Sequence, residues 1–271
     1  LTHAPALSEQ LSRRPGLLDG LIDRSAFNAP PNAAEIAKRL LEAAGAGGLD
    51  AVLERVRILI GERRFALGVQ LIAGSRDPIT IAEGYSDLAE GAIRALTQLT
   101  TRDFEQRHGR IAGGELIVLG LGRLGGGALT HASDLDLIYL FDAPEGAMSD
   151  GDKTLSATDY YNRLASRVSA ALAMPTAAGP LYDVDTRLRP QGAQGMLAVS
   201  LDAFEQYQRR EAWTWEHMAL CRARPVHGSA EGQQRLAEAV RSILCLDRDP
   251  VRTRADAATM RDDMARHKPP S

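Results

Sequence analysis

Cysteine is scarce in this sequence. Cys221 and Cys245 are the only two, too few for a disulfide framework and without the spacing of a metal cluster; a reducing, cytoplasmic compartment is the expectation. An excess of charge of either sign is also missing. The 32 basic and 35 acidic residues leave a net charge of −3, which gives no support to a broad nucleic-acid-binding surface. No run approaches the ~20 apolar residues that cross a bilayer, so no membrane partner is expected. The opening LTHAPALSEQLSRRPG lacks the apolar stretch of a signal peptide. None of the six histidines has metal-ligand spacing, and there is no internal repeat or low-complexity tract. The chain starts at Leu1 rather than Met and stops at a polar HKPPS, so it is expected to be a piece of a longer polypeptide. What remains is ordinary: 271 residues, 44% hydrophobic, enough for one large domain or two small ones.

Apolar spacing divides the chain into three stretches. Residues 1–110 read as helical and are expected to pack on the core. Ile36, Leu40 and Ala44 share a helical face, as do Val52, Val56 and Ile60. Pro30-Pro31 and Gly45–Gly48 punctuate this stretch, and Asp77-Pro78 opens a long helix through Tyr85, Leu88, Ala92 and Leu96 that Gly109 closes. Residues 111–200 change texture. Glu115–Gly120 and Leu135–Phe141 read as buried strands, and Thr158–Met174 as a helix with Tyr161, Leu164, Val168 and Leu172 on one face. Leu181–Leu188 alternates like a strand, and Pro190-Gln191-Gly192 turns the chain toward a possible partner, Met196–Ser200. Residues 201–271 read as helical again. Helices, then a small sheet, then helices make an α+β fold rather than regular βαβ alternation.

The stretch GLGRLGGGALTHASDLDLIYLFD, residues 120–142, has two possible meanings. Gly120, Gly122 and Gly125 fit the dinucleotide fingerprint G-x-G-x-x-G after an apolar strand, with Asp142 downstream. That fold needs a helix of about three turns before the next strand. Three consecutive glycines at 125–127 cost about 1 kcal/mol each in a helix interior, and Ser133-Asp134 favour a cap or turn. Room remains for one or two turns, which disfavours an NAD-binding oxidoreductase; that class would also need a second βαβ unit, and none is visible.

The carboxylates give the other meaning. Asp134 and Asp136, two apart at a strand start, project from one face. Side by side they repel and tend to hold a proton; a divalent cation removes that penalty, and an all-oxygen donor set suits Mg²⁺. A glycine turn just upstream lets backbone N–H groups approach polyphosphate without a Cβ in the way. Asp134 as a cap and Asp136 as a solvated edge residue is the plain alternative. A third acid shifts the balance. In LYDVDTRLRP, residues 181–190, Asp183, Asp185, Arg187 and Arg189 share a strand face, costly to bury without partners. One Asp in the metal site and one Arg near phosphate would satisfy them; an exposed strand with its charges paired across it is the plain alternative.

Gly120–Asp136 together with Asp185 resembles the polymerase β-like nucleotidyltransferase superfamily. More closely, that stretch with LYDVDTRLRPQGAQGMLAVS and EAWTWEHMALCRARPV resembles the glutamine synthetase adenylyltransferase family, from about Leu11 to the end. The resemblance implies transfer of AMP from ATP to a tyrosine hydroxyl of glutamine synthetase, a cytoplasmic role in nitrogen regulation, and a PII signal protein as a further partner. It implies two Mg²⁺ ions held by Asp134 and Asp136, with Asp185 completing the metal nearer the nucleophile and assisting proton removal. Gly122, Arg123, Ser133 and Arg187 would bind the triphosphate. Arg123 departs from the usual lysine of the family, which keeps the charge but changes the donor geometry. Family enzymes carry two such units, and this chain holds one. Trp-Thr-Trp-Glu-His, where the adenylyl-removing unit usually shows a single Asp-Trp-Glu core, points to the adenylylating unit. The adenylyl-removing unit and a non-catalytic nucleotide- or PII-binding module are the alternatives.

The remaining residues have plainer expectations. Trp213 and Trp215 are expected in core or interdomain packing, His217 in a structural role, and Cys221 and Cys245 as small apolar fillers. Arg209, Arg210, Arg222 and Arg224 are expected on solvated faces, with Arg222 or Arg224 in reach of phosphate.

Overall fold

Polar caps set the helix starts. In the computed structural model, which describes residues 7–8, 11–12, 15–18, 28–45 and 48–267, the Asn32 side chain accepts from the Glu35 amide at 3.0 Å and opens α1 (Ala33–Ala44). Asp77 accepts from Ile79 and Thr80 to open α3 (Pro78–His108), which Gly109 ends at φ +70°. Between them runs α2 (Leu49–Ile72). The expected faces are buried: Ile36, Leu40 and Ala44; Val52, Val56 and Ile60; Tyr85, Leu88, Ala92 and Leu96. The helical expectation for residues 1–6, 9–10, 13–14, 19–27 and 46–47 falls outside the described residues.

Among the described residues, five strands form one mixed sheet, and the fold is α+β. Strand β1 (Glu115–Gly120) pairs antiparallel with β2 (Leu135–Asp142), from Glu115 opposite Asp142 to Gly120 opposite Leu137. The two strands bury both faces, and their alternation sorts the core into two layers. Leu116, Val118, Leu137, Tyr139 and Phe141 pack with α1–α3 and with α5 (Ala157–Ala173), which Ser156 caps. Ile117, Leu119, Ile138 and Leu140 face the other way, against α6 (Leu201–Arg210) and α8 (Ala230–Leu244) through Phe204, Leu236 and Ile243. A helical layer on each side of a small sheet holds the β1–β2 ends rigidly. No helix among the described residues is long and apolar enough to cross a membrane.

Three sequence expectations are corrected. Leu181–Leu188 is not one strand: only Val184–Asp185 (β3) pairs, parallel to β2 at Leu135 and Asp136. The face shared by Asp183, Asp185, Arg187 and Arg189 therefore does not exist. Its expected partner also lies elsewhere. Ala198–Ser200 (β4) pairs parallel to β2 further along the same edge, at Tyr139–Phe141, not to residues 181–188. The intervening turn follows from Gln191 and Gly192, at φ +61° and +59°. The helical reading of residues 201–271 is interrupted by β5 (Arg224–His227), antiparallel to β1. A four-residue strand containing Pro225 carries little alternation to read.

Arg57 shows how the helical layer is fastened. Only 2% exposed, it donates to the carbonyls of Ala171 (2.8 Å) and Met174 (2.6 Å) at the end of α5, and to Leu53 (3.1 Å) in its own helix. Arg57→Leu should cost about 2–3 kcal/mol, because buried carbonyls lose charged donors. Urea unfolding would show it as a lower midpoint at unchanged slope; an unchanged midpoint would mean that water replaces the guanidinium.

Candidate active site

The chain leaves β1 at Gly120 and makes a tight turn bound to the start of β2. Leu121 N–H donates to the Asp136 carbonyl at 2.9 Å. Gly122 sits at φ +55°, and a Cβ there would run into the Asp136 carboxylate. One turn of helix follows, α4 (Gly122–Gly125). At Gly125 a Cβ would meet the carbonyl oxygens of Gly120 and Arg222. Gly122 is thus favoured by its left-handed backbone and the Asp136 side chain against it, and Gly125 by close backbone approach. A single helical turn between antiparallel strands also removes the dinucleotide reading, which needs a parallel pair and a longer helix.

Three carboxylates converge beside this turn. One oxygen from each of Asp134, Asp136 and Asp185 lies within 4.8 Å of the others. Asp134 and Asp136 come from the head of β2, and Asp185 from β3, in register opposite Asp136. Leu135 N–H donates to the Asp183 carbonyl at 2.9 Å, so Asp183 contributes backbone while its exposed side chain stays outside the cluster. Burial, then the charges of Asp134 and Asp185, lift the Asp136 carboxyl above its ordinary range. Asp185 moves the other way. Arg187 folds back on it, Nε donating at 3.0 and 2.9 Å and Nη2 also contacting Oδ2, and these bonds hold Asp185 below the ordinary range. Three crowded hard oxygen donors, one of them resisting ionisation, are a donor set that fits Mg²⁺.

The loop between the glycines and β2 is closed on itself. Thr130 N–H donates to Ser133 Oγ at 3.0 Å, the two hydroxyls lie 2.8 Å apart, and Arg123 Nη1 donates to Thr130 Oγ1 at 3.3 Å. Arg123 and Ser133, both predicted for the site, are thus brought together by Thr130, which the sequence reading missed. Its position three before Ser133 is a hydroxyl-turn spacing that could have been noticed. Arg189 does not point at the cluster. It staples its own loop through the carbonyls of Thr186, Ala193 and Gly195.

Of the other two arginines with phosphate potential, Arg222 is exposed and acts on Asp136, lowering its pKa against the effect of burial. Arg224 turns away, onto Glu90 of α3, which is 3% exposed and also bonds Arg94. It also reaches the Gly125 carbonyl at 3.4 Å.

The plain expectations fare unevenly. His217 Nε2 lies 2.8 Å from the Gln208 carbonyl, a structural contact. Arg209 is not simply solvated: it reaches Ser242 Oγ on α8. Cys221 and Cys245 are exposed rather than apolar fillers. Trp213 and Trp215, at 68% and 41% exposed, are not core. They flank a cleft of about 920 Å³ between α7 (Thr214–Leu220) and α9 (Pro250–His267) and join neither layer of the core.

A glycine turn between antiparallel strands, an Asp-x-Asp at the head of the second, and a third Asp on a parallel neighbour define a nucleotidyltransferase-type core. Comparison with known proteins agrees. Residues 1–239 match the family described as glutamate-ammonia ligase adenylyltransferase. Three relatives bear the description bifunctional glutamine synthetase adenylyltransferase/adenylyl-removing enzyme. The protein from Mesorhizobium japonicum is 43% identical over 270 residues, covering 98% of this chain and 27% of its own length. Those from Brucella suis and a Bradyrhizobium species are 40% and 41% identical, covering 100% and 99% of this chain and 28% and 27% of their own lengths. The chain belongs to the glutamate–ammonia ligase adenylyltransferase family, and it spans little more than a quarter of the relatives it matches.

Proposed function

We propose that this chain is an adenylylating unit, transferring AMP from ATP to a tyrosine hydroxyl of glutamine synthetase with release of pyrophosphate. The observation that carries the reading is the convergence of Asp134, Asp136 and Asp185 within 4.8 Å beside the glycine turn. Residues 111–200 carry the proposed transfer site, flanked by the described helices of 1–110 and by a C-terminal stretch whose β5 completes the sheet beside β1. Asp134 and Asp136 would hold two Mg²⁺ ions, with Asp185 completing the one nearer the nucleophile. Bound there, the metals would acidify the phenol and stabilise the departing pyrophosphate.

The chain's own residues do the rest. Backbone N–H groups at the head of the one-turn helix, Gly122 to Leu124, would face the triphosphate, whereas those of Gly125–Ala128 are bonded within the turn itself. Arg123 and Ser133, joined through Thr130, form the polar rim that orients it. Arg187 is exposed and, among the described residues, bonded only to Asp185. It can release that carboxylate and offer its planar fork to phosphate. Asp185, freed of the guanidinium, becomes the better proton acceptor for the phenol. ATP and a glutamine synthetase target place the reaction in the cytoplasm, with a PII protein as regulatory partner.

ATP binding should require Mg²⁺ or Mn²⁺, and NAD should bind no better than background. Titration calorimetry of each nucleotide, with and without chelator, checks this, and tight metal-independent NAD binding would refute it. Direction rests on the Trp213–His217 segment, because microscopic reversibility keeps a shared carboxylate site from setting it. Label from α-labelled ATP should pass to unmodified glutamine synthetase without orthophosphate. Orthophosphate-dependent release of ADP from the adenylylated target would instead assign the chain to the adenylyl-removing unit, on the same carboxylates.

A further inference from the structure

The two loops that deliver the carboxylates are tied together from below by one side chain of the helical flank. Arg64, half-buried on α2, donates Nη2 to the His131 carbonyl at 2.5 Å and Nη1 to the Leu181 carbonyl at 2.6 Å. His131 stands three residues before Asp134, and Leu181 four before Asp185. The same guanidinium lies over the ring of buried Tyr182, 4.7 Å from its centroid. The arginine is itself held in place. Tyr85 Oη donates to its carbonyl at 3.2 Å and lies 3.4 Å from His131 Nδ1, with the two rings edge-on at 5.9 Å. Burial and the adjacent guanidinium pull His131 down to about 4.

We propose that Arg64 is a positioning residue that sets the separation of Asp185 from Asp134 and Asp136. The need for such a clamp follows from β3. Two residues of parallel pairing carry few hydrogen bonds, and parallel ladders are the weaker kind. Left alone, three mutually repelling carboxylates would spread that pairing apart. A planar fork reaching two carbonyls at once fixes the spacing of both loops; an ammonium reaches them one at a time.

This inference rests on the carboxylate cluster being the metal site, and the test separates the two. Mn²⁺ binding is measured by titration and electron paramagnetic resonance on the whole chain, without nucleotide, for wild type, Arg64→Met, Arg64→Lys and Arg57→Leu. Positioning predicts Mn²⁺ affinity about tenfold weaker in Arg64→Met and a smaller loss in Arg64→Lys. Arg57→Leu, which removes a tie between α2 and the end of α5 but touches neither carboxylate loop, should bind Mn²⁺ as wild type does. The sign of the change is the discriminating readout. Removing a cation near three carboxylates would by itself tighten metal binding, so unchanged or tighter binding in Arg64→Met overturns the proposal. If Arg64→Met does not fold, Arg64→Gln, which also removes the charge, decides in the same way. A wild-type chain that binds no Mn²⁺ at these carboxylates would refute the metal site, and the clamp's function with it. Normal wild-type binding with indifferent Arg64 variants would refute the clamp alone.

Discussion

Asp136→Asn should lower adenylyl transfer by about a thousandfold or more, since it removes one of the three carboxylates that would hold the metals, and each 1.36 kcal/mol of lost barrier reduction is tenfold. The fold should survive, and the metal-free protein should gain stability. Asp136 has its folded pKa raised above 3.8, mainly by burial. Such a group contributes stability that is fully present below the unfolded value and lost as pH rises through the folded one, so at neutral pH the ionised carboxylate is a liability. Asp185 has the opposite sign. Its pKa is depressed by Arg187, so its contribution is present above 3.8 and fades as pH falls through the folded value. Thermal melts in chelator at neutral pH should show Asp136→Asn above wild type and Asp185→Asn below it, with both variants inactive in Mg²⁺. Activity near normal in Asp136→Asn would remove it from the site. A lower melting temperature for that variant in chelator would show that the buried, ionised carboxylate is no liability to the fold.

Gly122→Ala should impair the metal site with modest damage to the fold. The backbone cost of a left-handed alanine is about 1–2 kcal/mol. The larger effect is local, because the new methyl would occupy the position of the Asp136 carboxylate. We expect Mn²⁺ affinity to fall at least about tenfold as that ligand is driven out of place. Gly127→Ala is the matched comparison. Gly127 has φ +67°, and a methyl added there would meet nothing within 4 Å, so it should lose similar stability and keep its metal affinity. Equal Mn²⁺ affinity in both variants would mean that Gly122 serves the turn alone.

The helical flank was legible because α1, the first turns of α2, α3 and α5 bury apolar residues at a 3.6-residue spacing; α1, α3 and α5 also carry the polar caps Asn32, Asp77 and Ser156, whereas α2 begins at Gly48 with no side-chain cap. Strands β1 and β2 were legible as apolar runs of strand length between turn residues. The carboxylates could be found because Asp134 and Asp136 are neighbours in sequence, and Asp185 because its segment was too charged to be ordinary core. Legibility failed where the determinants are long-range. Nothing near Val184 or Ala198 says that both belong to one edge of β2; that pairing is decided by the core that β2 already fills. Arg187 and Arg189 look alike in the sequence, yet one bonds a carboxylate and the other a ring of carbonyls, a difference set by the turn at Gln191-Gly192. Arg64 carried no signal at all, since an arginine on an amphipathic helix ordinarily faces water.

The division of one β2 edge between β3 and β4 bears on how copies of this molecule meet. Sheets grow by recruiting a foreign strand along an open, regular border. On this side the border is two short strands, Val184–Asp185 and Ala198–Ser200, separated by a looped excursion. On the other it is four residues of β5 with Pro225 among them, which has no N–H to offer an incoming strand. Neither border, among the described residues, is long enough to template a ladder, so strand-by-strand accretion of copies is disfavoured at both edges of this sheet.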